Sequence, residues 1–135
     1  MTRVASFEIE YSRFLDPAGR ITQPLPPFAQ HRETLVALYR AMVLTRMFDT
    51  KAVALQRTGR LGTYPSSLGQ EAVGVGIGSA MRRDDVFVPS FREYGAQFLR
   101  GVTLTELLLF WGGDERGSNF AGPREDFPIL SLIHI

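Results

Sequence analysis

The chain has 135 residues, with 15 basic and 14 acidic side chains and a formal net charge of +1. A charge so near zero gives no reason to expect general affinity for nucleic acid or for an anionic membrane. The absence of cysteine excludes disulfides, thiolate nucleophiles and cysteine-based zinc sites. The two histidines, His31 and His134, are far apart in the sequence, which argues against a histidine metal cluster or a Ser–His–Asp triad.

Residues 1–32 are predicted to form an N-terminal arm that lies across a larger body. Long elements in it are interrupted by Pro17, Gly19, Pro24, Pro26 and Pro27. Phe7, Ile9 and Tyr11 alternate with polar residues, a pattern that favours a short strand. The segment resembles neither a secretory signal nor a transit peptide, and no run approaches the roughly 20 apolar residues of a membrane span. A bacterial cytoplasmic location is therefore expected.

The longest predicted helix covers residues 33–58. One face at helical spacing is formed by Leu35, Leu38, Met42, Thr45, Phe48, Ala52 and Leu55. Gly59 stands where a left-handed residue commonly ends a helix. Burial of this face in a core is the expectation.

Three further helices are predicted from capping boxes, in which a hydroxyl residue is followed three positions later by Glu or Gln. The pairs are Ser67–Gln70, Ser90–Glu93 and Thr103–Glu106. They predict helices over residues 69–81, 91–100 and 104–111, with Gly101 and Gly112 ending the last two. Residues 86–88, Val-Phe-Val between acidic residues and a proline, predict a short strand, so the helix–strand–helix order indicates one edge of an α/β layer.

The sequence after the last predicted helix is expected to contain a functional loop and then a foreign tail. Residues 112–128 are rich in glycine and charge, which favours either a partner-facing or active-site loop or simple disorder. Residues 130–135, LSLIHI, form an abrupt apolar run without a cap or turn signal. They are interpreted as a non-native tail, and His134 is given no functional weight.

The glycines within the second predicted helix admit two interpretations. Gly74 and Gly78 lie four residues apart and share a face, and each costs about 1 kcal/mol relative to alanine. They do not follow a strand and open a helix, as a dinucleotide-binding loop requires. Close packing against another helix or subunit is favoured, and direct ligand contact is the alternative.

Two segments carry candidate binding residues. Phe91 and Arg92 follow the predicted strand at a predicted helix start, where free amides and a forked cation suit a phosphate or carboxylate. Tyr64, Pro65 and Ser66 occupy a loop between two helices, with the hydroxyls and the aromatic ring of a pocket lining. An exposed arginine without a role and an ordinary connection are the respective alternatives.

An ordered series of segments resembles the alpha subunits of thiamine-diphosphate-dependent 2-oxo acid dehydrogenases. The series is LYRAMVLTRMFDTKAVALQRTGRLGTY, then GQEAVGVGIGSAM, then DDVFVPSFREYGAQFLRGVTLTELLLFWGGDERG. The similarity extends over about residues 35–128, and it is the order and spacing of the three segments that make it specific.

The resemblance implies a three-layer α/β, thiamine-diphosphate-binding fold, of which residues 33–129 are the incomplete and mostly helical N-terminal part. It implies thiamine diphosphate and magnesium as cofactors, with the metal ligands downstream of this sequence, and a heterotetramer with a beta subunit. The aromatic–Arg pair of the family, here Phe91 and Arg92, would contact the diphosphate. The acyl unit would pass to a lipoyl domain of an acyltransferase core.

The sequence departs from the family pattern at three positions. Phe91 replaces a frequent tyrosine, Pro65 stands where some members have a histidine, and Tyr94 stands where another histidine is often found. The resemblance therefore does not identify a catalytic residue here. Oxidative decarboxylation of pyruvate is the expected activity of the complete protein, with the fragment itself inactive. Branched-chain 2-oxo acids are the alternative substrates, and a non-catalytic helical docking module is the alternative function.

Overall fold

The computed structural model describes residues 2–118, which are mostly helical and contain no strand. The mostly helical character was predicted, and the layered α/β arrangement is not seen in this part of the chain. The described residues fall into two compact units that divide between Leu35 and Val36. Within residues 2–118, no helix is both long and apolar enough to cross a membrane.

The first unit is held by a polar turn. Both Ala18 and Arg20 donate their backbone N–H to Oδ1 of Asp16 at 2.8 Å, and Leu15 forms an isolated antiparallel bridge with Ile21. Residues 7–11 are not a strand, contrary to the prediction, and their apolar side chains are at least 77% exposed. The alternation of apolar and polar residues does not produce a strand here, because no described segment pairs with residues 7–11. A short 3-10 helix follows at Pro27–Gln30.

The first helix, α1, spans Arg32–Arg57, close to the predicted bounds. Its buried residues include Thr45, Phe48 and Ala52, which confirms the middle of the predicted face. Leu35 lies at the start of that face but is 40% exposed. The helix ends as predicted: Gly59 has φ 70°, and its N–H and that of the next residue donate to carbonyls of the last turn.

Three shorter helices follow: α2 at Glu71–Ala80, α3 at Tyr94–Leu99 and α4 at Leu104–Trp111. The capping box of Thr103 and Glu106 is confirmed at α4. The boxes predicted for α2 and α3 are wrong, since their N-cap residues Gln70 and Glu93 make no side-chain cap bond and both helices begin later than expected. The Ser67 hydroxyl donates to Asp49 instead, and of the box at Ser90 only the bond from the Ser90 N–H to the Glu93 carboxylate is present.

The predicted strand at residues 86–88 is also wrong. Exposure alternates as in a strand, with Val86 at 73%, Phe87 at 7% and Val88 at 57%. The segment is irregular nonetheless, because no described segment supplies the ladder hydrogen bonds that define a strand. The buried Phe87 ring anchors this connection between α2 and α3.

Gly74 and Gly78 of α2 pack against α3, as predicted. A Cβ on Gly78 would lie 2.7 Å from the Cα of Ala96, and a Cβ on Gly95 would lie 2.9 Å from the backbone nitrogen of Val75. Real Cβ atoms do not approach this closely, so side chains at these positions would force the helices apart. Close helix packing, rather than ligand contact, therefore explains Gly74 and Gly78.

An aromatic core joins α1, the loop after it, α3 and α4. The Tyr64 and Tyr94 rings stack at 5.4 Å, and Phe48 packs edge-on against Phe98 at 5.3 Å. Leu107 of α4 is fully buried in the same cluster.

α4 ends at Trp111 with Gly112 as its C-cap, as predicted, although the left-handed glycine is the next residue. Gly112 is right-handed at φ −79°, and Gly113 takes the left-handed conformation at φ 72°. A short 3-10 helix at Glu115–Ser118 packs on α4. The rest of the predicted loop and the predicted tail, residues 119–135, lie outside the described residues.

Candidate functional site

A buried carboxylate on α1 organises the loop that follows this helix. Asp49 is 3% exposed, and its Oδ1 accepts from the Tyr64 hydroxyl at 2.9 Å and from the Ser67 N–H at 2.7 Å. Its Oδ2 accepts from the Ser66 hydroxyl at 2.7 Å. Several donors offset the desolvation of the carboxylate, as burial of such a group requires. The conformation of residues 64–67 therefore depends on Asp49.

The same loop holds Arg92. The Nε–H of Arg92 donates to the backbone carbonyl oxygen of Ser66 at 3.0 Å. Its guanidinium carbon lies 4.8 Å from the centre of the Phe91 ring, a cation–π distance. The side chain is exposed, and among residues 2–118 its terminal nitrogens have no other hydrogen-bond or ion-pair partner. These nitrogens are therefore available to an anion.

The amides before α3 are less available than the sequence indicates. The N–H groups of Ser90 and Arg92 donate to Oε2 of Glu93 at 2.9 and 3.1 Å. The predicted reach of Glu93 back to Ser90 is thus present, but α3 begins only at Tyr94. A carboxylate of the chain itself thus occupies two of the amides that were expected to bind an anion. The guanidinium of Arg92 is the exposed cationic group at this place.

The candidate pocket residues have different surroundings. Tyr64 is buried, and its hydroxyl is committed to Asp49, whereas Pro65 and Ser66 are half-buried. The carbonyl of Pro65 accepts from the Tyr94 hydroxyl at 3.1 Å. The structure thus brings Ser66 to Arg92 by a direct hydrogen bond, while Tyr64 faces the core.

Neither tyrosine of this region is suited to act as a base. Burial raises the pKa of the Tyr64 hydroxyl above its usual range, and the nearby Tyr94 raises it further. Burial likewise raises the pKa of Tyr94. Both hydroxyls therefore remain protonated near neutral pH and serve as hydrogen-bond donors.

A second buried carboxylate begins α2. Glu71 accepts from Nε of Arg46 on α1 and from the Gly69 N–H, the latter at 3.2 Å. The hydrogen bond from Arg46 is the main cause that lowers the pKa of Glu71 to about 2. This pair ties α1 to the start of α2. No cluster of three or more potential ligands able to hold a metal ion is found within residues 2–118.

Comparison with known proteins identifies the family. Residues 39–125 match the family described as "Dehydrogenase E1 component". The chain belongs to this family. Both candidate segments, residues 64–66 and the pair Phe91–Arg92, lie within the matched region of the E1 family.

Curated relatives are similar to most of this chain. A "Pyruvate dehydrogenase E1 component subunit alpha" of Mycoplasma pneumoniae is 33% identical over 87% of this chain and 33% of its own length. The protein of that name from Staphylococcus aureus is 38% identical over 84% of this chain and 30% of its own.

A "3-methyl-2-oxobutanoate dehydrogenase subunit alpha" of Mycobacterium tuberculosis is 36% identical over 83% of this chain and 31% of its own length. The chain thus spans about a third of the length of the curated relatives that it matches. No solved structure was found to match it.

Two positions at which the sequence was expected to depart from the family pattern, Pro65 and Tyr94, are in contact. The Tyr94 hydroxyl donates to the Pro65 carbonyl oxygen at 3.1 Å. Tyr94 is fully buried, so its hydroxyl is fixed in the core rather than directed to solvent. The two positions together join the loop to α3.

Asp49 is the site residue that sequence reasoning missed. It lies between Phe48 and Ala52 of the predicted apolar face, where a charged residue is unexpected. That mismatch was the available signal: an acidic residue on the buried side of an amphipathic helix needs donors from elsewhere. The donors in the sequence, at Tyr64, Ser66 and Ser67, were instead assigned to a pocket or a cap.

Proposed function

We propose that this chain is part of the alpha subunit of pyruvate dehydrogenase, which decarboxylates pyruvate oxidatively and transfers the acyl unit to a lipoyl group. The observation that carries the proposal is the exposed guanidinium of Arg92 in a chain of the E1 family. It is fixed by the Ser66 carbonyl and the Phe91 ring, with its terminal nitrogens open to an anion. The names of the Mycoplasma and Staphylococcus relatives support the choice of pyruvate.

The donor set at Arg92 fits one part of thiamine diphosphate. A guanidinium with two free terminal nitrogens offers parallel N–H donors to phosphate oxygens. Bound thiamine diphosphate would supply the electron sink that decarboxylation of a 2-oxo acid requires. Phe91 and Arg92 would hold its diphosphate, and Pro65 and Ser66 would form the wall beside the substrate, with the buried Tyr64 supporting that wall from the core.

The remaining parts of the proposed site come from elsewhere. A diphosphate carries several negative charges and is commonly bound with Mg²⁺, which takes oxygen ligands. We place those ligands outside the described residues, in a three-layer α/β domain completed by the rest of the subunit. A beta subunit and the lipoyl domain of an acyltransferase core are the proposed partners in a heterotetrameric assembly.

Branched-chain 2-oxo acids are the second candidate substrates, since the similar Mycobacterium tuberculosis protein is named a 3-methyl-2-oxobutanoate dehydrogenase subunit. The test uses the complete protein assembled with its partner subunit. Specificity is measured as kcat/KM for pyruvate and for 3-methyl-2-oxobutanoate. A higher value for pyruvate supports the first assignment, the reverse supports the second, and no turnover of either supports a non-catalytic docking role.

The role of Arg92 is tested by thiamine diphosphate binding in the presence of Mg²⁺. The substitution Arg92→Ala is expected to weaken binding by about 10-fold or more, as removal of a charge-assisted hydrogen bond of about 1.5–3 kcal/mol implies. Arg83→Ala is the matched control, because Arg83 is also exposed and has no described partner. Equal affinities of the two variants, measured by calorimetric titration, would contradict the assignment.

A further inference from the structure

We infer that Asp49 is a positioning residue that sets the orientation of Arg92 through a single peptide group. The inference rests on the proposed function of Arg92, which it deepens. Asp49 itself is buried and is not expected to touch the cofactor. Its effect passes through the loop that joins α1 to α2.

The peptide group between Ser66 and Ser67 connects the two side chains. Its N–H donates to Oδ1 of Asp49 at 2.7 Å, and its carbonyl oxygen accepts from Nε of Arg92 at 3.0 Å. The bond is trans, as are all the described peptide bonds, so its N–H and C=O point in opposite directions. A carboxylate that fixes the N–H therefore also fixes the direction in which the carbonyl meets Arg92.

Neighbouring bonds restrict the same peptide group further. The Ser66 hydroxyl donates to Oδ2 of Asp49 at 2.7 Å, and the Ser67 hydroxyl donates to Oδ1 at 3.3 Å. The residues on either side of the peptide bond, Ser66 and Ser67, thus both donate to the carboxylate of Asp49. An amide that donates to a carboxylate is polarised, which strengthens its carbonyl as an acceptor for the guanidinium.

The exposed Arg92 has few other restraints. Its Nε is held by Ser66, and its guanidinium lies over the Phe91 ring. Loss of the carbonyl contact would allow a long and flexible side chain to sample other rotamers, and binding of an anion would then have to restrict it again. Asp49 should therefore influence cofactor affinity, although it lies on the opposite side of the peptide group.

The test is a double-mutant cycle in the complete protein assembled with its partner subunit. The dissociation constant of thiamine diphosphate with Mg²⁺ is measured by calorimetry for wild type, Asp49→Ala, Arg92→Ala and the double variant. Asp49→Ala is expected to raise the dissociation constant about 10-fold, equivalent to about 1.4 kcal/mol. In the Arg92→Ala background the same substitution should have almost no further effect, because it acts through Arg92.

Two further variants separate positioning from simple destabilisation. Asp49→Asn retains an oxygen for the Ser67 N–H, so affinity should return to within about threefold of wild type. Thr45→Ala is the control: Thr45 is buried on the same side of α1, and its hydroxyl bonds within the helix to Ala41. It should lower the unfolding temperature and leave the dissociation constant unchanged. If Asp49→Ala does not fold, Asp49→Glu replaces it, since the added methylene displaces the carboxylate from the peptide group.

The outcomes distinguish this inference from the function on which it rests. If Arg92→Ala weakens binding but the effect of Asp49→Ala persists undiminished in its absence, the positioning role is refuted and the site at Arg92 stands. Weakening by Thr45→Ala equal to that by Asp49→Ala also refutes the positioning role. If Arg92→Ala leaves binding unchanged, the assigned diphosphate contact itself fails, and the positioning role fails with it.

Discussion

Two buried carboxylates, Asp49 and Glu71, are stabilised in different ways. Asp49 accepts from hydroxyls and a backbone N–H, whereas Glu71 accepts from the guanidinium of Arg46 and the N–H of Gly69. The difference matters because only the second arrangement pairs the carboxylate directly with a cation. Asp49 thus shapes a loop through uncharged donors, whereas Glu71 joins two helices through an ion pair.

The ion pair of Glu71 makes stability depend on pH. The pKa of Glu71 is lowered from 4.5 to about 2, so folding favours its ionised form. Its contribution is complete above pH 4.5 and is lost as the pH falls towards 2. Glu71→Gln should therefore lower the unfolding temperature of the complete protein at pH 7, and its difference from wild type should shrink between pH 4.5 and pH 2.

Thermal unfolding at a series of pH values measures this difference, with Glu10→Gln in the exposed arm as the control. A difference between wild type and Glu71→Gln that stays constant down to the lowest pH would show that charge pairing with Arg46 is not its cause. The control substitution should leave the unfolding temperature within error of wild type at each pH.

At the scale of elements, the contact between α2 and α3 depends on glycine. A Cβ on Gly78 would lie within 2.7 Å of the Ala96 backbone, while a Cβ on Gly76 of the same helix would meet nothing within 4 Å. Gly78→Ala should destabilise the fold by about 1–2 kcal/mol, since overpacking of about 1–3 kcal/mol outweighs the gain in helix propensity.

Gly76→Ala is the matched control and should stabilise the fold by up to about 1 kcal/mol, because it gains helix propensity without a clash. Urea unfolding of both variants gives the two changes in the free energy of unfolding. The same sign for both would contradict close packing at Gly78.

The elements were predicted from sequence to different extents, for physical reasons. The long α1 was predicted because its apolar spacing and the Gly59 cap are local signals, and the box at Thr103 likewise acts within its own helix. The box predicted at Ser67 failed because a distant carboxylate, Asp49, competes for that side chain. The strand at residues 86–88 failed because strands need partners that local patterns do not reveal.

The candidate site was predicted only in part, because some of its contacts join residues that are distant in the sequence. The resemblance to a family directed attention to Arg92, and the structure adds its contact with Ser66. That contact joins residues 26 positions apart, beyond the reach of any periodicity. The role of Asp49 required knowledge of tertiary contacts, because its partners all lie in the following loop.

At the scale of the whole molecule, α1 and α2 expose apolar side chains. Tyr39 and Met47 on α1 are 64% and 66% exposed, and Val73 on α2 is 62% exposed. Tyr39 and Met47 line a groove of about 410 Å³, and the paired Arg46 and Glu71 also line it. Exposed apolar side chains of this kind favour association when they are left in water.

The 135 residues prepared alone are therefore expected to self-associate and to bind an apolar fluorescent dye. Met47→Lys and Val73→Lys should each reduce both effects, because a charge on this surface opposes its burial. Val4→Lys is the control, since Val4 is 96% exposed in the N-terminal arm and remote in sequence from both helices. Sedimentation over a range of concentrations gives the association state. Equal association of all three variants would assign the effect to another surface, and a monomeric wild type without dye binding would contradict the prediction altogether.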